Sequence, residues 1–85
     1  MTDSIPERSG ALLTRNAVAA ALTAAGYPVK AKTLATMATR GGGPPYRRFG
    51  ARALYCWGDA VAWAEARLGA LHRTTSEADA EHAEL

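Results

Sequence analysis

Three arginines in one short stretch are the residues whose type and spacing best suit a chemical role in this sequence. Arg47, Arg48 and Arg52 lie close together around Gly50, with no acidic residue nearby. A guanidinium group forms paired hydrogen bonds with phosphate oxygens, so such a cluster is typical of a surface that binds a polyanion. The charged, solvated rim of a purely structural hairpin has the same composition. The arginines alone therefore leave both interpretations open.

The local sequence predicts that these arginines lie on a β-hairpin. Three glycines, residues 41–43, end any helix before them, and the prolines at 44–45 force an extended chain. Two short runs, 46–49 and 53–55, then flank a Gly-containing connection at 50–52, which is typical of a hairpin. A small basic hairpin between helices has the form of a wing and favours contact with nucleic acid.

Two helices are predicted before the hairpin. Thr14 is a good N-cap for a first helix over 15–25, which Gly26 ends. A second helix is predicted over 31–40, about 15 Å long. Its polar residues recur every four positions and so share one face: Lys32, Thr36 and Arg40. Two helices joined by a short turn form a helix-turn-helix candidate, although a helical hairpin with a solvated polar face fits equally.

A third helix is predicted after the hairpin, capped by Gly58 or Asp59 and ending near Leu71. The predicted fold is therefore mainly α with a small β-hairpin, a winged helix-turn-helix domain over 11–71. Residues 1–10 are predicted to be a disordered arm and 72–85 a flexible acidic tail. The predicted core consists of apolar residues from every element: Leu13, Ala17, Leu22, Leu34, Met37, Phe49, Tyr55 and Trp63.

The net charge of +2 conceals a strong asymmetry along the chain. Residues 8–73 hold all ten Lys and Arg and two of the eight acids, which gives that body a net charge of +8. The span 30–52 contains six basic residues and no acid. Ordinary solubility charge is the alternative, but this acid-free span favours a domain that binds a polyanion.

Several patterns that would indicate an enzyme are absent or incomplete. His72, His82 and Cys56 lack the spacing of a zinc site, and residues 41–43 lack the Lys-Ser/Thr of a phosphate-binding loop. The body also has no paired acids. We therefore expect no catalytic residues, no metal and no cofactor. One cysteine and the lack of an apolar span or a signal peptide lead us to expect a cytoplasmic protein.

The order of these elements resembles a known family. The residues that carry the resemblance span 12–68 and are Leu13-Thr14, Ala17, Leu22, Val29, Thr33-Leu34, Gly43-Pro44-Pro45-Tyr46, Phe49-Gly50, Arg52, Tyr55, Asp59 and Trp63. They are similar to the small winged helix-turn-helix excisionases, or recombination directionality factors. These are related to AlpA-type phage regulators and to the DNA-binding domain of MerR regulators. The chain departs from the family's capping residues at Ala17, Lys30 and Gly58.

The resemblance implies a role that composition and periodicity do not. Such bacterial or phage proteins bind repeated sites near the attachment sequence of a mobile element, bend the DNA and direct an integrase towards excision. Head-to-tail contacts between copies on DNA are expected because one small domain contacts few base pairs. A transcriptional regulator of the same fold is the first alternative. A protein-interaction adaptor without DNA binding is the second.

The same resemblance implies that the second helix enters a major groove and the wing an adjacent minor groove. We expect the second helix to contact base edges and phosphates through Lys30, Lys32, Thr33, Thr36 and Arg40. On the wing we favour Arg48 and Arg52 over Arg47, because Phe49 is predicted to face the core and alternation puts Arg47 on its side. Arg15, at the start of the first helix, is either a phosphate contact or a solvated side chain.

Overall fold

A computed structural model gives the fold and describes residues 5–69, 71 and 73–76. The described chain forms three helices and a small three-stranded antiparallel sheet. In chain order the elements are β1 Leu12–Thr14, α1 Arg15–Ala24, α2 Ala31–Arg40, β2 Arg47–Phe49, β3 Arg52–Cys56 and α3 Trp57–Arg67. The three predicted helices and the hairpin are confirmed. Most of the predicted tail, including His72 and His82, lies outside the described residues.

Strand β1 is an addition to the predicted hairpin. The strand order is β1-β3-β2, so Leu12–Thr14 pairs with β3 on the edge opposite to β2. The prediction of a two-stranded sheet was wrong because three residues are too few to show an alternating pattern. The extra strand continues directly into α1, and it thereby ties the start of that helix to the hairpin.

The core lies between the sheet and the three helices. Its buried apolar residues are Val18, Ala19, Ala21, Leu22, Leu34, Tyr55, Trp57, Ala60 and Ala64. Many of these residues are alanines, which lets α1 and α3 pack closely but leaves little side-chain volume to bury. The largest fully buried side chain is that of Tyr55, on the central strand.

Of the eight predicted core residues, three are fully buried, three are half-buried and two are exposed. Leu22, Leu34 and Tyr55 are fully buried, whereas Ala17 is exposed and Phe49 is 72% exposed. Three further members of the predicted core are half-buried: Leu13, Met37 and Trp63. Phe49 is uncovered because it projects from the face of the sheet opposite to the buried Tyr55, and the helices pack mainly on β1 and β3. The buried Trp57 was not predicted as a core residue.

The connection between α1 and α2 is closed by local hydrogen bonds. The Tyr27 amide donates to the Leu22 carbonyl at 2.7 Å and the Gly26 amide to the Thr23 carbonyl at 3.1 Å. With Gly26 at φ +107°, this is a Schellman motif. The Thr23 hydroxyl also donates to the Val29 carbonyl and accepts from the Val29 amide. These bonds fix the point at which α2 leaves α1.

The prediction of a cap at Gly58 or Asp59 for α3 was wrong. The helix begins at Trp57, and its N-cap residue, Cys56, makes no side-chain capping bond. Backbone carbonyls of the N-terminal segment replace the cap: Ala11 accepts from the Trp57 amide at 2.8 Å and Ser9 from the Gly58 amide at 2.7 Å. The arm predicted to be disordered is therefore attached to the fold at Ser9. The prediction that α3 reaches Leu71 was wrong: the helix ends at Arg67, and Leu68 is extended just before Gly69.

None of the helices in the described part of the chain combines the length and the apolar character needed to span a bilayer.

Candidate nucleic-acid interface

The exposed side of α2 forms a polar and basic surface, which we call the α2 face. It consists of side chains that follow one another along the helix: Lys32, Thr36, Thr39 and Arg40. The opposite side of α2 is anchored by Leu34, which is buried against α1. Thr39 was not among the predicted site residues, although its position three residues after Thr36 places it on the same side.

Both threonines of the α2 face donate their hydroxyl hydrogens to their own helix. Thr36 Oγ1 lies 3.1 Å from the Lys32 carbonyl oxygen, and Thr39 Oγ1 lies 3.4 Å from the Ala35 carbonyl oxygen. A hydroxyl engaged in this way keeps its lone pairs and its methyl group for an external partner. On DNA such a side chain suits a thymine methyl group or a base amino group that donates.

Lys30 and Thr33, also predicted to contact DNA, occupy a different part of α2. Both are exposed, and both line a groove between α2 and the C-terminal half of α3 together with Tyr27, Met37 and Trp63. Lys30 is the N-cap residue of α2, and its side chain makes no capping bond. The structure therefore separates these two residues from the centre of the α2 face.

The register of the hairpin determines which arginines share a side. Arg47 pairs with Leu54, Arg48 with Ala53, and Phe49 with Arg52. Directly paired residues of antiparallel strands project from the same face of a sheet, and neighbours along a strand alternate. Arg47, Phe49 and Arg52 therefore project from one face, which we call the outer hairpin face.

Arg48 projects from the opposite face, the one that carries the buried Tyr55. The prediction that Arg47 and Phe49 share a side is confirmed, but the prediction that Arg52 projects with Arg48, away from them, was wrong. Its premise was that Phe49 faces the core, whereas Phe49 belongs to the outer hairpin face. The three arginines are all exposed, so each can reach a polyanion, but Arg48 does so from the other side.

Arg15 is held by an aromatic residue of the central strand. Its Nε donates to the Tyr55 hydroxyl at 3.0 Å, and its guanidinium carbon lies 5.8 Å from the centre of the Tyr55 ring. The side chain is half-buried, and it borders a shallow depression that Asn16 and Arg52 also line. The structure thus brings Arg15 close to the hairpin rather than leaving it as an isolated solvated charge.

No acidic residue lies in α1, α2, β2 or β3. Near the groove that Lys30 lines, Glu65 of α3 accepts a hydrogen bond from the Tyr27 hydroxyl at 3.4 Å. Neither α1 nor α2 has an acidic residue in its first turn, and the amino ends of helices carry a partial positive charge.

No group of three His, Cys, Asp or Glu side chains among the described residues is arranged to hold a metal ion. The Cys56 thiol, half-buried, lies 3.3 Å from the Ser9 carbonyl oxygen. The site can therefore supply positive charge, hydrogen-bond donors and the exposed aromatic rings of Tyr46 and Phe49.

Comparisons with protein-family models, with curated proteins and with solved structures find no match for this chain.

Proposed function

We propose that this protein binds double-stranded DNA as a winged helix-turn-helix domain. In this proposal α2 lies in a major groove and the β2–β3 hairpin is a wing that contacts the adjacent minor groove. The supporting observation is that the acid-free span 30–52 folds into a helix and a hairpin whose six basic side chains are all exposed. A surface of this kind attracts a polyanion along its whole length.

The dimensions of α2 fit this role. An α-helix with its side chains is about 10–12 Å across, which matches the width of about 12 Å of the major groove of B-DNA. The ten residues of α2 extend about 15 Å along such a groove. Lys32 and Arg40 lie near opposite ends of the α2 face with Thr36 between them. We assign base-edge contacts to Thr36 and Arg40, and phosphate contacts to Lys32 and to Lys30 at the helix start.

The arginines of the hairpin supply positive charge rather than hydrogen bonds that distinguish one base pair from another. Arg47 and Arg52 on the outer hairpin face suit the phosphates that border a minor groove, where base pairs are poorly distinguished by hydrogen bonding. Arg48, on the opposite side, suits a neighbouring phosphate, and Arg15 adds another beside Arg52. The arginines of the wing therefore contribute affinity for any sequence, while the α2 face contributes selectivity by hydrogen bonding.

We further propose that the protein is an excisionase, a recombination directionality factor of a mobile genetic element. This assignment rests on the residues that resemble that family, from Leu13-Thr14 to Asp59 and Trp63. Its partners are then the integrase of the same element and further copies of itself, bound head-to-tail on adjacent sites. A transcriptional regulator with the same DNA-binding surface is the alternative. An excision reaction with that integrase distinguishes the two roles.

The test of DNA recognition begins with selection of bound sequences from a pool of random duplexes. Affinities for the selected site and for random DNA are then compared at one salt concentration. Thr36→Ala and Arg40→Ala should cost about 1–3 kcal/mol on the selected site and less on random DNA. Arg47→Ala and Arg52→Ala should weaken both complexes to a similar extent.

Arg8→Ala is the matched control, because Arg8 is exposed and lies outside the proposed surface. It should change both affinities less than the hairpin substitutions do. If the α2 substitutions weaken selected and random DNA equally while Arg47→Ala or Arg52→Ala removes discrimination, the two assigned roles are reversed. If selection enriches no sequence, the proposal of sequence-specific binding is wrong.

A further inference from the structure

We propose that Phe49 is a wedge that enters a base-pair step of bound DNA from the minor groove and kinks the duplex. This inference rests on the proposed function, because it names what one residue of the hairpin does once DNA is bound. Proteins that bind the minor groove often insert one apolar side chain between neighbouring base pairs and bend the DNA away from themselves.

The exposure of Phe49 is the first observation that carries the inference. Its side chain is 72% exposed at the end of β2, immediately before a turn in which Gly50 has φ +63°. By contrast, Tyr46 is 38% exposed, and its ring is tilted against that of Tyr55 at a centroid distance of 5.5 Å. Phe49 thus presents a large apolar surface near the tip of the hairpin, and removal of that surface from water is favourable.

The two arginines that neighbour Phe49 on the outer hairpin face are the second observation. Arg52 is its direct partner across the hairpin, and Arg47 lies two residues before it on the same face. Guanidinium groups next to Phe49, one across the hairpin and one along β2, suit phosphates that border a minor groove. With these arginines at the phosphates, the ring on the same face lies against the groove.

The charge of the outer hairpin face favours DNA over a protein partner, because an apolar protein interface excludes unpaired charges from its centre. Single-stranded DNA is the competing nucleic acid. Platforms that bind single strands stack successive bases on several aromatic side chains. Phe49 is the one aromatic residue that the register places on this face among the residues of β2 and β3.

A wedge also predicts a sequence preference that needs no hydrogen bond to a base. Pyrimidine–purine steps such as TA and CA unstack more easily than other steps. Sites with such a step beneath the hairpin should therefore bind better than sites with a stiffer step at that position. The preference should depend on Phe49 and persist in Arg47→Ala.

The test measures DNA bending by energy transfer between dyes at the two ends of the selected site. A 2-aminopurine at the step under the hairpin reports unstacking. The wild-type protein should bend the site by about 20–90° and raise the 2-aminopurine fluorescence. Phe49→Ala should lose most of the bend and the fluorescence rise, while Phe49→Leu, which keeps an apolar side chain, should retain most of both.

Leu12→Ala is the matched control. Leu12 is 56% exposed on the edge strand β1, and it pairs with Cys56 at the end of β3 away from the hairpin turn. It should bend DNA as the wild type does. Unchanged bending by Phe49→Ala overturns the wedge, and so does tighter binding of the wild type to single strands than to duplex. If the wild type binds no duplex at all, the proposed function itself fails.

Discussion

The indole Nε1–H of Trp63 donates a hydrogen bond to the backbone oxygen of Gly42, with 2.8 Å between the two atoms. This bond joins α3 to the glycine loop that separates α2 from the hairpin. The guanidinium carbon of Arg67 lies over the same ring system, 5.0 Å from the Trp63 ring centre. Trp63 therefore fixes the path by which the chain leaves α2 and enters the proposed wing.

Trp63→Phe tests this bond because it keeps an aromatic ring and removes the donor. We expect a loss of about 0.5–1.5 kcal/mol in the free energy of unfolding, measured in urea. Trp63→Ala removes the ring as well, and it should cost more, up to about 3–5 kcal/mol. An unchanged free energy of unfolding in Trp63→Phe contradicts a stabilising role for the hydrogen bond. A loss below about 1 kcal/mol in Trp63→Ala shows that the packing of the ring does not stabilise the fold.

Gly43→Ala tests the close approach of the glycine loop to α2. A Cβ atom at Gly43 would lie 2.8 Å from Met37 Cβ, a distance at which one of the two must move. We expect a loss of about 1–3 kcal/mol in thermal or urea unfolding, typical of overpacking. Gly10→Ala is the control, because a Cβ there meets nothing within 4 Å. Equal effects of both substitutions contradict the tight packing of the loop.

Tyr55→Phe tests the link between Arg15 and the central strand. The change removes the hydroxyl that accepts from Arg15 Nε and keeps the buried ring, so it should cost about 0.5–1.5 kcal/mol. In a double-mutant cycle with Arg15→Ala the two losses should not add, because they remove the same bond. Tyr46→Phe serves as the control ring. Additive losses contradict the hydrogen bond between Arg15 and Tyr55.

Much of this fold is predictable from short patterns in the sequence. Gly26 and Thr14 predict the ends of α1, and the Gly-Pro run at 41–45 predicts the break before the hairpin. The hairpin faces were harder to predict, because the aromatic Phe49 was assigned to the core on hydrophobicity alone. Whether it is buried depends on which face of the sheet the helices cover, and no local pattern carries that information.

The start of α3 shows the same limit. Gly58 lacks the side chain of a cap, and the sequence suggests a weakened helix end. The structure satisfies that end through the carbonyls of Ser9 and Ala11, more than forty residues away along the chain. By contrast, Thr39 was predictable, because it lies three residues after Thr36 and therefore on the same side of α2. The attachment of Arg15 to Tyr55 depends on the pairing of β1 with β3 and was not.

The acidic residues near the C-terminus give a prediction that depends on charge alone. Deletion of 75–85 removes four acids, which repel phosphate, so binding to random duplex DNA should tighten at low salt. The melting temperature should stay nearly unchanged, since this composition offers little apolar surface to bury. A marked drop in melting temperature contradicts the second expectation, and weaker DNA binding contradicts the first.

The basic surface of α2 and the hairpin is proposed to bind duplex DNA. A salt titration of binding to a random duplex, followed by fluorescence anisotropy, tests this proposal most directly. We expect binding at low salt. The logarithm of the affinity should fall linearly with the logarithm of the salt concentration, with a slope of about −0.9 for each phosphate contacted. Arg47→Ala and Arg52→Ala should each reduce that slope by about one unit, and Arg8→Ala should reduce it less. Absence of binding at low salt, or an affinity that does not change with salt, contradicts the account.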